Sequence, residues 1–122
     1  MFREQLRALL ASLDGDAALA LVSADGLVVD SVVRSARGLQ IPDLDMLAAE
    51  LVALSASIAE NHREFGGDAV HGLSLVTERL NLSLSTVAEG FLLLAATDDE
   101  STLGRIRFEL RRAPLQLAAS LG

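Results

Sequence analysis

The chain has 122 residues, a formal net charge of −7 at neutral pH and no cysteine, and all ten of its basic residues are arginine. That length makes one domain of ordinary size, able to bury a core without staples, and the missing cysteine excludes disulfides and thiolate metal sites. The missing lysine excludes P-loop phosphate binding and Schiff-base chemistry, while the acidic balance argues against unaided nucleic-acid binding, which needs a basic footprint.

Phe2, Leu6, Leu9, Leu10 and Leu13 repeat at i, i+4, i+7, i+8 and i+11, one face of a helix that stops near Asp14-Gly15-Asp16. A strand is expected over about Ala17 to Ser23, then a hairpin turn at Ala24-Asp25-Gly26, where Asp tolerates and Gly prefers positive φ. The second strand returns over Leu27 to Val33, and a polar loop runs from Arg34 to Pro42. Asp43 or Asp45 caps the next helix. Its apolar seam is Leu44, Leu47, Leu51, Leu54 and Ile58, in steps of three or four, and Gly66-Gly67 after Phe65 offers its end.

Three short strands follow, about Leu73 to Glu78, Leu80 to Val87 and Phe91 to Thr97. The middle one alternates Leu80, Leu82 and Leu84 with Asn81, Ser83 and Ser85, the mark of a strand with one wet face. The last, "FLLLAA", carries apolar residues on both faces and is expected at the centre of the sheet. Thr97-Asp98-Asp99-Glu100 reads as a capping box with Thr97 as cap. The final helix turns Leu103, Ile106 and Leu110 inward, and Pro114 ends or kinks it. The order is α-β-β-α-β-β-β-α in one domain, residues 1–122, of the α+β class. No apolar run reaches the length of a membrane span and no secretory start is visible, so the chain reads as cytoplasmic, without membrane insertion.

From Leu51 to Ala59 the middle helix has no charged residue. A surface helix ordinarily keeps a polar face. Here Val52, Ala53, Ala56 and Ala59 spread around the side away from the Leu/Ile seam, and such small residues let a second helix approach closely. The expectation is a helix held between its own sheet and a second copy of the chain, most simply in a two-fold homodimer.

The hairpin "ALALVSADGLVVDS", the long middle helix, the three-strand meander and "GFLLLAATDDESTLGRIRFELRRA" together resemble the Roadblock/LC7 domain family over nearly the whole chain, and within it the stand-alone bacterial members of the MglB type. The signatures are Ser23 to Gly26, the Gly90-led last strand, and Leu103-Gly104 before an arginine-containing helix. The resemblance implies a profilin-like, five-stranded antiparallel sheet in order 2-1-5-4-3, the middle helix on one face and the terminal helices on the other. It further implies a homodimer through the middle helix and the edge of the third strand. The interface is then expected at Leu44, Leu47, Leu51, Leu54, Ser55 and Ile58, with Leu73, Leu75 and Thr77 at the strand edge. Family members bind small GTPases or GTPase-containing assemblies, and MglB-type members act on a Ras-like GTPase without supplying an arginine finger.

Chemistry-bearing patterns are few. His62 and His71 with Glu64 and Asp68 lack any metal-site spacing, and Asp98-Asp99-Glu100 suit a helix N-terminus better than a metal. No GxSxG or Ser-His-Asp arrangement occurs. The sequence therefore implies no catalytic residue, no cofactor and no metal. Arg105, Arg107, Arg111 and Arg112 read first as an i,i+4 pair with Glu109 and as partners of the helix C-terminus, with contact to an anionic partner as the functional alternative. The expected function is a homodimeric module that recognises a Ras-like small GTPase and tunes its nucleotide cycle, with exposed Glu50, Ser57 and Glu60 as contacts. The alternatives are a dimeric scaffold without effect on hydrolysis and, last, a small-ligand sensor, ranked there because no buried polar anchors are expected on the strands.

Overall fold

The structure, a computed structural model, describes residues 2–40, 43–64 and 71–115, with side chains described up to Asn61 in the middle helix. The elements are α1 (Phe2–Ala11), β1 (Ala17–Ser23), β2 (Val28–Arg34), α2 (Leu44–Glu64), β3 (Gly72–Val76), β4 (Asn81–Ala88), β5 (Phe91–Thr97) and α3 (Glu100–Arg112). They build one antiparallel sheet in the order β2-β1-β5-β4-β3.

β5 is central because its composition permits nothing else. It pairs with β1 from Ala17↔Thr97 to Ser23↔Phe91 and with β4 from Asn81↔Thr97 to Ala88↔Phe91. Its alternating side chains enter two cores. Leu93 and Ala95 join α1 and α3 through Leu6, Leu9, Leu103 and Ile106. Leu94 and Ala96 join α2 through Ala48 and Leu51. Each fully buried Leu contributes roughly 1.5–3 kcal/mol through the apolar surface it removes from water. α2 therefore covers one face of the sheet, and α1 and α3 cover the other.

Local chemistry sets the turns. In the β1–β2 turn, Gly26 has φ +88° and its N–H donates to the Ser23 carbonyl at 2.9 Å. Asp43 is the cap of α2: its carboxylate accepts from the Met46 N–H at 3.2 Å. Arg34 ends β2 by donating to the carbonyls of Leu10 (3.2 Å), Leu13 (2.5 Å) and Gly15 (2.6 Å), which satisfies the C-terminal turn of α1. Buried Asp16 accepts from the N–H groups of Arg37 (2.9 Å) and Leu39 (3.1 Å) and so pins the loop that leads to α2.

Four expectations need correction. β3 ends at Val76 rather than Glu78, so Thr77 lies in the β3–β4 turn, where its hydroxyl donates to the Leu80 carbonyl at 2.7 Å. The Asn81/Ser83 face of β4 is dry, each residue 7% exposed, because α3 lies on that side. Strand positions thus do carry buried polar groups, Asn81, Ser83 and Thr97, contrary to the reasoning against a ligand sensor. Finally, the N-cap of α3 is Asp99, whose carboxylate accepts from the Ser101 N–H at 2.9 Å. The buried Thr97 hydroxyl instead donates to the Asp16 carbonyl at 2.9 Å and accepts from the Asp99 N–H at 3.3 Å, just ahead of the helix. The expected Gly66-Gly67 end of α2 lies outside the described residues.

Candidate functional site

The candidate site is a surface, built on α2 and the β3 edge. α2 has 21 residues and is about 31 Å long at ~1.5 Å per residue, whereas a seven-residue strand such as β1 spans about 23 Å at ~3.3 Å per residue. The helix reaches the β1–β2 hairpin tip early: a Cβ placed on Gly26 would meet the Ala49 Cα at 3.2 Å. Beyond that point burial fades along the seam. Ala48 is 0% and Leu51 5% exposed, but Leu54 is 44% and Ile58 36% exposed.

The expected seam therefore divides. Leu51 is spent on its own sheet, and Leu44 and Leu47 are half-buried against the same core. Ser55 is half-buried. Leu54 and Ile58, one turn apart, are left to solvent. Met46, 59% exposed, joins them and is not in the expected set. Its signal is legible as the row Met46, Glu50, Leu54, Ile58, each four residues on. Ala49, Ala53 and Ala56 are exposed on the remaining face. Glu50, Ser57 and Glu60 are all exposed, as a contact role requires.

The two edges of the sheet differ. β2 carries Asp30 and Arg34, and its pairing with β1 is broken by a bulge between Leu21 and Val22. Charges and bulges are what blunt an edge. β3, "GLSLV", has neither charge nor proline, and its pairing with β4 runs regularly from Gly72↔Ser85 to Val76↔Asn81. Leu73 is half-buried and Leu75 is 43% exposed. Both share the α2 side of the sheet, since they pair with Leu84 and Leu82 of that core. The open edge and the exposed row of α2 thus lie on the same side of the sheet.

Elsewhere the titratable groups serve structure. Burial pushes the Asp30 carboxyl up, but the Arg3 side chain, the Ser31 N–H and the Arg3 charge together hold it below the usual carboxylate value. The hydroxyl and N–H of Ser101 hold Asp99 below that value as well. Arg105 and Arg112 both reach the buried carboxylate of Glu109, at 3.0 and 2.6 Å. Among the described residues no group of three or more His, Asp or Glu could hold a metal ion. His71 is exposed, and the side chains of His62, Glu64 and Asp68 lie outside the description. No described helix is long and apolar enough to cross a membrane.

The architecture is that of a Roadblock/LC7 domain. The crystal structure of such a domain from Streptomyces avermitilis has a TM-score of 0.63 at 21% identity, over 88% of this chain and 92% of that one. More particularly, the chain is similar to MglB. The gliding protein MglB of Thermus thermophilus has a TM-score of 0.74 at 23% identity, over 91% of this chain and 81% of that one. An MglB structure with a tetrameric arrangement has a TM-score of 0.76 at 22% identity, over 91% and 80%. At these identities the likeness is one of fold. No protein-family model and no curated protein matches the sequence.

Proposed function

We propose that the chain is a Roadblock/LC7-family module of the MglB type, a cytoplasmic homodimer that binds a Ras-like small GTPase and tunes its nucleotide cycle without contributing a catalytic residue. The observation that carries this reading is the bare apolar half of α2, with Met46, Leu54 and Ile58 36–59% exposed beside an uncharged sheet edge. Water is a poor neighbour for such a contiguous face. A second copy, related by a two-fold axis, covers both helices at once and pairs the two β3 edges. The fold it shares with an MglB solved in a tetrameric arrangement supports self-association.

In that dimer Leu54, Ser55, Ile58 and Met46 meet their counterparts, and Leu73 and Leu75 flank the paired edges. Thr77 lies just past them, in the turn. Leu44, Leu47 and Leu51 support the helix from within. With Glu50 at the rim of that seam, Glu50, Ser57 and Glu60 of both protomers then form a composite surface for the GTPase. Such a surface acts by favouring one switch conformation over another.

The test is GTP turnover by a Ras-like GTPase of the same organism, with and without this protein. A changed rate that is lost in the Glu50→Ala/Ser57→Ala/Glu60→Ala variant supports the proposal. Measurable binding with an unchanged rate makes the protein a scaffold, and absence of binding removes the GTPase from the account.

A further inference from the structure

The arginine run of α3 divides into two flanks. The flank toward α1 carries Arg105 and Arg112, both paired with Glu109. The flank toward β3 and β4 carries Arg107 and Arg111, which are exposed and have no acidic partner among the described residues. An i,i+4 pair on a helix stands about 6 Å apart on one side.

These two arginines form the shared wall of two clefts. One, of about 370 Å³, lies between α3 and the end of β3 and is lined by Ser74, Val76, Leu103 and Gly104, with Glu100 at the N-terminal end of the helix. A Cβ on Gly104 would meet nothing within 4 Å, so the helix surface there is open. The other, of about 270 Å³, lies over β4 and is lined by Ser85, Val87, Leu110 and Leu115. Val76, 60% exposed, faces this side of the sheet, since it pairs with Asn81. In the dimer proposed above the α2 contacts lie on the opposite face of the sheet, and the β3 pairing borders only the cleft at Ser74 and Val76, so the cleft over β4 stays clear of it.

The local chemistry is two guanidiniums without an acidic partner among the described residues, between apolar hollows, on a chain whose net charge is −7. Guanidinium forks take carboxylates in pairs of hydrogen bonds. Side chains on one face of an extended strand recur every two residues, about 6.6 Å apart, which matches the spacing of the two arginines. An anionic membrane is recognised by clusters of roughly 4–8 basic residues, and two contacts to phosphates give little hold on nucleic acid.

We propose that this flank of α3 is a docking groove for an extended acidic segment of a protein partner, with carboxylates on Arg107 and Arg111 and apolar side chains in the flanking clefts. The inference is independent of whether a GTPase binds the α2 face.

The probe is a fluorescently labelled nonapeptide, Ser-Val-Ser-Glu-Ser-Glu-Ser-Val-Ser, which sets two Glu and two flanking Val on one face of an extended strand, titrated into the full chain by anisotropy, with the same peptide carrying Lys in place of Glu as control. Binding of the Glu peptide alone is expected. It should weaken on adding salt and fall about tenfold or more in Arg107→Glu/Arg111→Glu. Arg107→Gln/Arg111→Gln, milder at these exposed positions, should show the same direction with an unchanged thermal melt. No binding of the Glu peptide, equal binding of the Lys peptide, or full affinity in both double variants overturns the proposal. Phosphatidylserine vesicles form the second arm. Vesicle binding that is lost in the double variants would assign the surface to a membrane instead and also overturn it.

Discussion

Arg34 shows how much a single side chain can organise. Its guanidinium accounts for three carbonyls at the end of α1. Arg34→Met keeps the length of the stem and removes the side-chain donors to Leu13 and Gly15, while the Leu10 carbonyl keeps the Leu13 N–H, so we expect a loss of about 1–3 kcal/mol in urea unfolding. Nothing in the sequence marks this role, because the partners lie 19 to 24 positions away. Gly26 is the opposite case. Asp25-Gly26 announces a hairpin by local chemistry alone, and the structure adds the second constraint, the close approach of Ala49. Gly26→Ala meets both a φ of +88° and that contact, and should cost on the order of 1–3 kcal/mol. Asp30 and Asp99 have carboxyls lowered in the folded state. A lowered folded value means stability present at neutral pH that is lost as pH falls through the acid range. Asp30→Asn and Asp99→Asn should therefore flatten the acid limb of a Tm-versus-pH curve, while leaving each variant less stable than the parent at pH 7.

The secondary elements were legible wherever pattern alone decides. β5 is apolar on both faces, and only the middle of a sheet suits that composition. Leu94, at 0% exposure in the α2-side core, should cost about 2–5 kcal/mol when cut to Ala, measured by chemical denaturation. β4 was legible in its period and misleading in its polarity. Asn81 and Ser83 look like a wet face, yet α3 covers them, and coverage by a distant helix leaves no local mark. The same limit explains the cap of α3. Thr97 and Asp99 are both good caps by type, and only the folded chain shows the Thr97 hydroxyl held between the Asp16 carbonyl and the Asp99 N–H ahead of the helix, while Asp99 takes the Ser101 N–H. In α2 the absence of charge pointed to an unusual environment. Only burial against the rest of the chain shows which side lacks cover, and that adds Met46 and assigns Leu51 to the interior.

Taken as one body, the chain has two faces of different character. The α2 side presents bare apolar surface and an unguarded strand edge, and the α3 side presents two arginines with no acidic partner among the described residues. The fold was readable from the sequence because each element agrees with it. The surfaces were readable only in part, because exposure depends on what the rest of the chain covers. The α2 face decides the account, since both the dimer and the composite GTPase surface depend on it. Light scattering at micromolar concentration measures it directly. The parent chain should show twice its 12.9 kDa mass, and Leu54→Glu/Ile58→Glu, which alters side chains 44% and 36% exposed in the single chain, should show a single folded chain with an unchanged circular-dichroism spectrum. A well-folded parent that runs as one chain, or a double variant that remains a dimer, would contradict it.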